Sequence, residues 1–164
     1  MRMILKKEVE FNTIVNDILK DEYFINLKYE IHHGISRMEH SIHVAKLSYL
    51  LCKFFHVKKM EQTTRAALLH DYFKTEEIKK NAFVNHPMKA AENAARVYHI
   101  SDFERNIIES HMFPVVKVMP RSKESFIVSM ADKMIAVYEC LRYKVPLVMG
   151  SSFLYFLNFM IIPR

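Results

Sequence analysis

The sequence predicts an all-α protein, a compact helical bundle forming a single domain over residues 1–164. Only 2 Gly and 5 Pro in 164 residues leave little material for the tight turns of β-hairpins. Leu, Ile, Met, Lys and Glu, which favour helices, are abundant. A hydrophobic fraction of 51% is enough for one buried core at this length, and the chain contains no repeat and no linker.

The first half of the chain predicts three helices. The opening helix is amphipathic, with an apolar face formed by Phe11, Ile14, Val15 and Ile18. Ser36 followed by Glu39 has the form of a capping box, so a second helix is expected to start at Ser36. A third helix is expected over about 58–70.

The second half predicts three more helices and an apolar tail. Asn85-His86-Pro87 is typical of a helix start, with Pro87 in the first turn, where its missing N–H costs nothing. Ser101 and Glu104 form another capping box, which opens a helix that runs through His111. A long helix is expected over about 122–142, and a tail helix closes the chain.

The tail, 145–164, carries no charged residue before Arg164, but Pro146 and Gly150 interrupt it. Its uninterrupted apolar stretch, 153–162, would make about 15 Å of helix against roughly 30 Å of hydrocarbon in a bilayer. A helix that is apolar on every side should be buried in the core or against another subunit. The tail therefore predicts a homo-oligomer contact as one alternative, and argues against a membrane span.

The net charge of +6 favours anionic ligands. The absence of long basic runs interleaved with aromatic residues argues against a dedicated nucleic-acid surface. Cys52 and Cys140 cannot form a disulfide framework, and the N-terminus has no signal-peptide core, so a cytoplasmic location is expected. Cys52 lies in an apolar run and is interpreted as a core residue.

Polar side chains that can bind metals interrupt the apolar faces of these helices. His40 shares a face with Val44, and Asp132 shares one with Val128. His70 and His111 each follow a pair of apolar residues at helical spacing. A single buried histidine is commonly a satisfied core residue, but a buried carboxylate needs a cation or several donors. A shared divalent metal site would satisfy six such residues together: His40, His70, Asp71, His86, His111 and Asp132.

This ordered set resembles the HD-domain superfamily of metal-dependent phosphohydrolases, over about 36–137. The motifs that carry the resemblance are Arg-Met-Glu-His-Ser at 37–41, Ala-Leu-Leu-His-Asp at 67–71, Asn-His-Pro at 85–87, Glu-Ser-His at 109–111 and Ala-Asp-Lys at 131–133. Superfamily members with both middle histidines hold two ions. The resemblance thus implies one ion on His40, His70, Asp71 and Asp132, and another on His86 and His111, with Asp71 bridging. Such mixed ligands suit Fe, Mn, Co or Zn.

The resemblance implies hydrolysis of a nucleotide or another small phosphoester through a metal-bridging hydroxide. Lys74 completes the form His-Asp-x-x-Lys found in many members, and would neutralise phosphate or support the site. Arg37 lies one turn before His40, so it is either a phosphate clamp or an exposed arginine. With Asp71, these two residues are the candidate catalytic residues.

Several alternatives remain open. No Gly follows His70-Asp71, and Met-Phe-Pro follows His111, so the signatures of cyclic-dinucleotide and dinucleoside-tetraphosphate enzymes of this superfamily are missing. A few members use the same ligands as a di-iron oxygenase, and a nucleotide- or metal-binding module without catalysis is a third interpretation. Around the site, His43 is either a partner of a ligand or a filler, and one loop either lines the pocket or is simply solvated (Lys117, Arg121 and Lys123).

Overall fold

The computed structural model describes residues 2–32, 34–78, 81–144 and 148–152, and these are predominantly helical. The all-α prediction is confirmed. The helices are α1 (Arg2–Leu19), α2 (Glu22–Asn26), α3 (Arg37–Phe54), α4 (Met60–Leu68), α5 (Ala82–Tyr98), α6 (Asp102–Ser110) and α7 (Lys123–Glu139). A short antiparallel hairpin, β1 (Ile31–His32) and β2 (Ile35–Ser36), lies between α2 and α3.

The sequence predicted the long helices better than the short elements and the helix ends. Neither α2 nor the hairpin was predicted, and Gly34 takes a positive φ of 93° in the hairpin turn. The helix predicted over about 58–70 is α4, which runs only from Met60 to Leu68, so the prediction was two residues too long at each end. The helix over 122–142 was also predicted too long, since α7 ends at Glu139 and passes into a π-helical turn at Cys140–Lys144.

The prediction that a helix starts around Asn85, with Pro87 in its first turn, was wrong. The α5 helix begins at Ala82, after Asn81 in the left-handed region, and Pro87 lies inside it. Pro87 therefore removes one backbone hydrogen bond from within the helix. The missing hydrogen bond lies next to His86, whose side chain points toward the protein interior.

The core forms where α3 packs against both α4 and α7, while α6 packs against α4, α5 and α7. Fully buried apolar residues from four of these helices meet there, among them Val44, Ala66, Ile107 and Val128. Cys52 is buried, as predicted. The N-terminal turn of α3, the C-terminal ends of α4 and α6, and the middle of α7 all reach this core.

The predicted capping boxes of α3 and α6 are both present. The Ser36 hydroxyl accepts from the Glu39 backbone N–H at 3.2 Å, and the Glu39 carboxylate accepts from the Ser36 backbone N–H at 3.3 Å. Replacing Ser36 with Ala should lower the free energy of unfolding by about 1 kcal/mol, because one N–H at the helix start loses its acceptor.

Urea denaturation followed by circular dichroism would measure this change. Ser101→Ala removes the same motif from α6 and should cost a similar amount. A loss from Ser36→Ala of less than a few tenths of a kcal/mol, beside a full loss from Ser101→Ala, would show that the α3 cap does not stabilise the fold.

Within the described ranges, no helix combines the length and the apolar character needed to cross a membrane. The prediction for the apolar tail falls largely on residues 153–164, which lie outside the described residues. The part that is described, 148–152, is helical and exposed.

Candidate metal centre

The six predicted ligands lie on five different elements that converge in the core. His40 is in the first turn of α3, His86 is near the start of α5, and Asp132 is in the middle of α7. The expectation that His70 and His111 lie within helices was wrong. His70 and Asp71 follow the end of α4 in a turn, and His111 is the residue that caps α6. These positions let side chains from several helix ends reach one point.

The first group contains His40, His70 and Asp132. Nε2 of His40 lies 3.1 Å from Oδ1 of Asp132, and Nε2 of His70 lies 3.7 Å from the same oxygen. His70 Nε2 is also 3.8 Å from Oδ2 of Asp71. Both histidines are completely buried, so these nitrogens and oxygens meet away from solvent.

The second group contains His86, His111 and the other oxygen of Asp71. The Nε2 atoms of His86 and His111 are 3.0 Å apart. Oδ1 of Asp71 lies 3.5 Å from His86 Nε2 and 3.9 Å from His111 Nε2. The two oxygens of Asp71 therefore face different groups of histidines, which is the arrangement of a bridging carboxylate.

The tautomers of two histidines follow from their backbone contacts. Nδ1 of His70 lies 2.8 Å from the carbonyl oxygen of Ala67, and Nδ1 of His111 lies 2.7 Å from that of Ile108. A carbonyl oxygen only accepts, so each Nδ1 carries the proton and each Nε2 of a neutral ring is left with a lone pair. Metal-binding histidines are commonly held in this way by a backbone carbonyl.

These lone pairs make the site suited to a cation. Among the described residues, the buried Nε2 of His70 has no hydrogen-bond partner, and carboxylate oxygens of Asp132 and Asp71 lie 3.7 and 3.8 Å from it. In the neutral ring, a lone pair facing two carboxylates is repelled by them. Metal–nitrogen bonds of about 2.0–2.1 Å would place neighbouring ligand atoms roughly 3–3.4 Å apart. The shorter distances in both groups agree with that spacing, so the residues fit divalent metal ions.

The electrostatics of the cluster also favour positive charge. Burial alone would lower the pKa of His40, but its hydrogen bonds with Asp132 and Glu139 outweigh burial and raise the pKa to about 10. Burial would raise the pKa of Asp132, yet the hydrogen bond with His40 and the proximity of His70 hold it well below its usual value. Burial and the neighbouring His70 lower the pKa of His111 to about 3. The Asp132 carboxylate is therefore ionised, and His111 presents a neutral nitrogen.

Arg37 is buried, which excludes the alternative of an exposed arginine. Its guanidinium lies 3.9 Å from the ring centroid of Phe73, and Nη1 donates to the Phe73 carbonyl oxygen at 2.8 Å. Nη1 is also 3.4 Å from Glu30 Oε2, while Nε is 4.0 Å from Asp71 Oδ2. Arg37 thus lies beside the Asp71 carboxylate, and part of its donor capacity is already used by contacts within the protein.

The remaining basic candidates are Lys74 and three residues between His111 and Asp132. The Lys74 ammonium is 5.2 Å from the ring centroid of Tyr23, and within the described ranges no ion pair joins it to one of the six ligands. Lys117 and Arg121, in the loop between α6 and α7, and Lys123, the first residue of α7, are exposed at the surface.

Glu139 was missed by the sequence analysis, and Lys133 was given no role of its own. Glu139 is fully buried and accepts hydrogen bonds from His40 and from His43. Its position seven residues after Asp132, on the same face of α7, was the available signal. Lys133 donates to the carbonyl oxygen of His111 at 2.8 Å and so fixes the end of α6 against α7.

Comparison with known proteins agrees with this geometry. The family described as HD domain matches residues 37–137, which is more than half of the chain and includes all six candidate ligands. No curated protein and no solved structure gives a significant match. Within the matched region, buried histidines and aspartates form groups that could hold a metal ion. The chain belongs to the HD-domain family, most of whose members are metal-dependent hydrolases.

Proposed function

We propose that this protein is a phosphohydrolase that uses two divalent metal ions to hydrolyse a nucleotide or another small phosphoester. The observation that carries the proposal is the position of Asp71. One of its oxygens faces His70, and the other faces His86 and His111. A single carboxylate between two groups of imidazoles is suited to holding two ions side by side.

The ligand set divides between the two proposed ions. His40, His70 and Asp132 would hold one ion, His86 and His111 would hold the other, and Asp71 would belong to both. The nitrogen and oxygen donors suit Fe, Mn, Co or Zn. When bound, such ions supply activated water near neutral pH and positive charge beside the phosphate. No serine or cysteine nucleophile is then required.

The residues of the chain would have distinct tasks in this reaction. The backbone carbonyls of Ala67 and Ile108 keep two imidazoles in the tautomer that can bind metal. Arg37, 4.0 Å behind Asp71, would hold that carboxylate in its bridging orientation. The half-buried Lys74 would contribute positive charge to the binding of an anionic substrate. These roles match the charge of +6, which favours anionic ligands.

Phosphate release tests the proposed reaction. Metal-free protein would be reconstituted anaerobically with Mn²⁺ or Fe²⁺ and incubated with nucleoside mono-, di- and triphosphates and with simple phosphomonoesters and phosphodiesters. We expect phosphate release from at least one class, and none after Asp71→Asn. Full metal loading without any hydrolysis across the panel would contradict the proposed activity.

Lys74 allows a more specific prediction about substrate binding. Replacing it with Met should raise KM roughly tenfold with little change in kcat, because a charge-assisted contact to phosphate is made equally in the ground state and the transition state. Steady-state kinetics on the best substrate of the panel would measure both constants.

Lys53→Met is the matched control for Lys74. Lys53 also lies over a tyrosine ring, that of Tyr49, at 5.0 Å. It is 13 residues after His40 on α3, or about 20 Å along the helix. If KM rises equally in both variants, or in neither, Lys74 does not contribute to substrate binding.

We propose three further properties of the protein. The substrate is a small phosphorylated molecule rather than a nucleic acid, and the protein works in the cytoplasm. The apolar tail is buried either in the core or against another copy of the chain.

A further inference from the structure

Glu139 is a fully buried carboxylate that none of the candidate ligand roles uses. It is the last residue of α7, two turns beyond Asp132, and its side chain has no exposed surface. Its two oxygens accept from two histidines of α3: Oε2 lies 2.7 Å from His40 Nδ1, and Oε1 lies 2.9 Å from His43 Nδ1. A buried carboxylate with both oxygens engaged is costly to place in a core, so its contacts call for an explanation.

The contact with His40 fixes the direction of that ring. An ionised carboxylate only accepts, so the proton of a neutral His40 ring must be on Nδ1. Nε2 then carries the lone pair and faces Asp132 Oδ1 at 3.1 Å, in the first group of candidate ligands. His70 and His111 obtain the same tautomer from backbone carbonyls. His40 lies in the first turn of α3 and obtains it from Glu139.

The contact with His43 holds Glu139 itself. His43 is one turn from His40 on α3, and its side chain is 39% exposed, so it closes the solvent side of the carboxylate. With one oxygen bound to each histidine, the Glu139 carboxylate is fixed against rotation. The end of α7 is thereby tied to the first turns of α3, and α7 also carries Asp132.

We propose that Glu139 is a positioning residue, which orients His40 and adds negative charge behind it so that Nε2 binds the ion of the first group more strongly. The inference rests on the proposed metal site. It assigns to Glu139 an effect on metal affinity in the folded protein, beyond any effect on stability. Removing such a carboxylate behind a ligating histidine should weaken metal binding by about 10- to 100-fold.

Calorimetric titration of metal-free protein with Mn²⁺ tests this assignment. Glu139→Leu removes both acceptors at similar volume and should weaken one of the two bound ions by about 10- to 100-fold. The ion between His86 and His111 should keep its affinity, because the described contacts of Glu139 are with α3.

Glu139→Gln should lie between wild type and the Leu variant. Its amide oxygen can still accept from His40, and the amide group can donate to the partly exposed His43, whose tautomer is free to change. This variant also keeps the experiment decisive if Glu139→Leu does not fold. Glu124→Gln, on the same helix but in its first turn, is the matched control and should bind Mn²⁺ like wild type.

The measurement separates positioning from simple packing. Thermal unfolding of the metal-free variants reports stability alone, whereas the Mn²⁺ dissociation constant reports the folded site. An unchanged dissociation constant in Glu139→Gln and Glu139→Leu, with a lower Tm, would overturn the assignment. If wild type binds Mn²⁺ tightly but hydrolyses no phosphoester, the proposed function fails while the role of Glu139 is still measured.

Discussion

Asp71→Asn is expected to remove both metal ions and to lower kcat/KM by well over about 100-fold, the upper end for losing a residue outside the ligand shell. Asn has nearly the same size as Asp but lacks the negative charge and one of the two oxygens. Because Oδ2 and Oδ1 of Asp71 face different histidines, the substitution damages both proposed ion sites at once. Elemental analysis of the purified variant and steady-state kinetics would measure the two effects.

Asp102→Asn makes the same chemical change at an exposed position in the first turn of α6 and should leave metal content and activity unchanged. Circular dichroism of Asp71→Asn would show that its helices still form. A folded Asp71→Asn protein that retains both ions would show that Asp71 does not bridge. Retention of one ion would restrict Asp71 to a single site.

Arg37→Met should lower the free energy of unfolding by about 3 kcal/mol, since removing one member of a buried charged group leaves its partners without compensation. Arg37 stacks on Phe73 and donates to the Phe73 carbonyl, and Glu30 and Asp71 both lose a nearby cation. In a domain of this size the loss corresponds to a Tm lower by roughly 6–12 °C. Differential scanning calorimetry would measure it.

Two further variants test whether the buried contacts of Arg37 cause this loss of stability. Arg37→Lys should recover only part of the lost stability, because an ammonium cannot both stack on a ring and donate in a fixed plane. Arg105→Met removes a partly exposed arginine that pairs with Glu109 within α6, and should cost only about 0.3–0.5 kcal/mol. If Arg37→Met and Arg105→Met lower the free energy of unfolding equally, the buried contacts of Arg37 stabilise the fold no more than a partly exposed ion pair does.

The sequence predicted the helical class and the long helices because these depend on local signals. The apolar spacing of α1 and the capping boxes at Ser36 and Ser101 are fixed by residues within one or two turns of each other. The structure contains all three. The start of α5 was missed because Asn85-His86-Pro87 carries a strong local signal for a helix start, whereas the helix begins earlier at Ala82, after Asn81 in the left-handed region.

The ligands could be chosen from the sequence, but their geometry could not. The chain leaves helical geometry after Leu68, although neither Gly nor Pro marks the turn that contains His70 and Asp71. That turn is held by contacts distant in sequence, such as the hydrogen bond from Arg37 to the Phe73 carbonyl. Glu139 was missed for a similar reason, because its importance comes from two histidines almost a hundred positions earlier.

Metal analysis of the purified protein decides whether the six converging side chains form a metal centre. Inductively coupled plasma mass spectrometry, after anaerobic purification or reconstitution with Mn²⁺ or Fe²⁺ and removal of loosely bound ions, should find about two divalent ions per chain. Asp71→Asn prepared in parallel should contain almost none. A folded wild-type protein that holds no ion after reconstitution would contradict the metal centre and the hydrolytic function proposed from it.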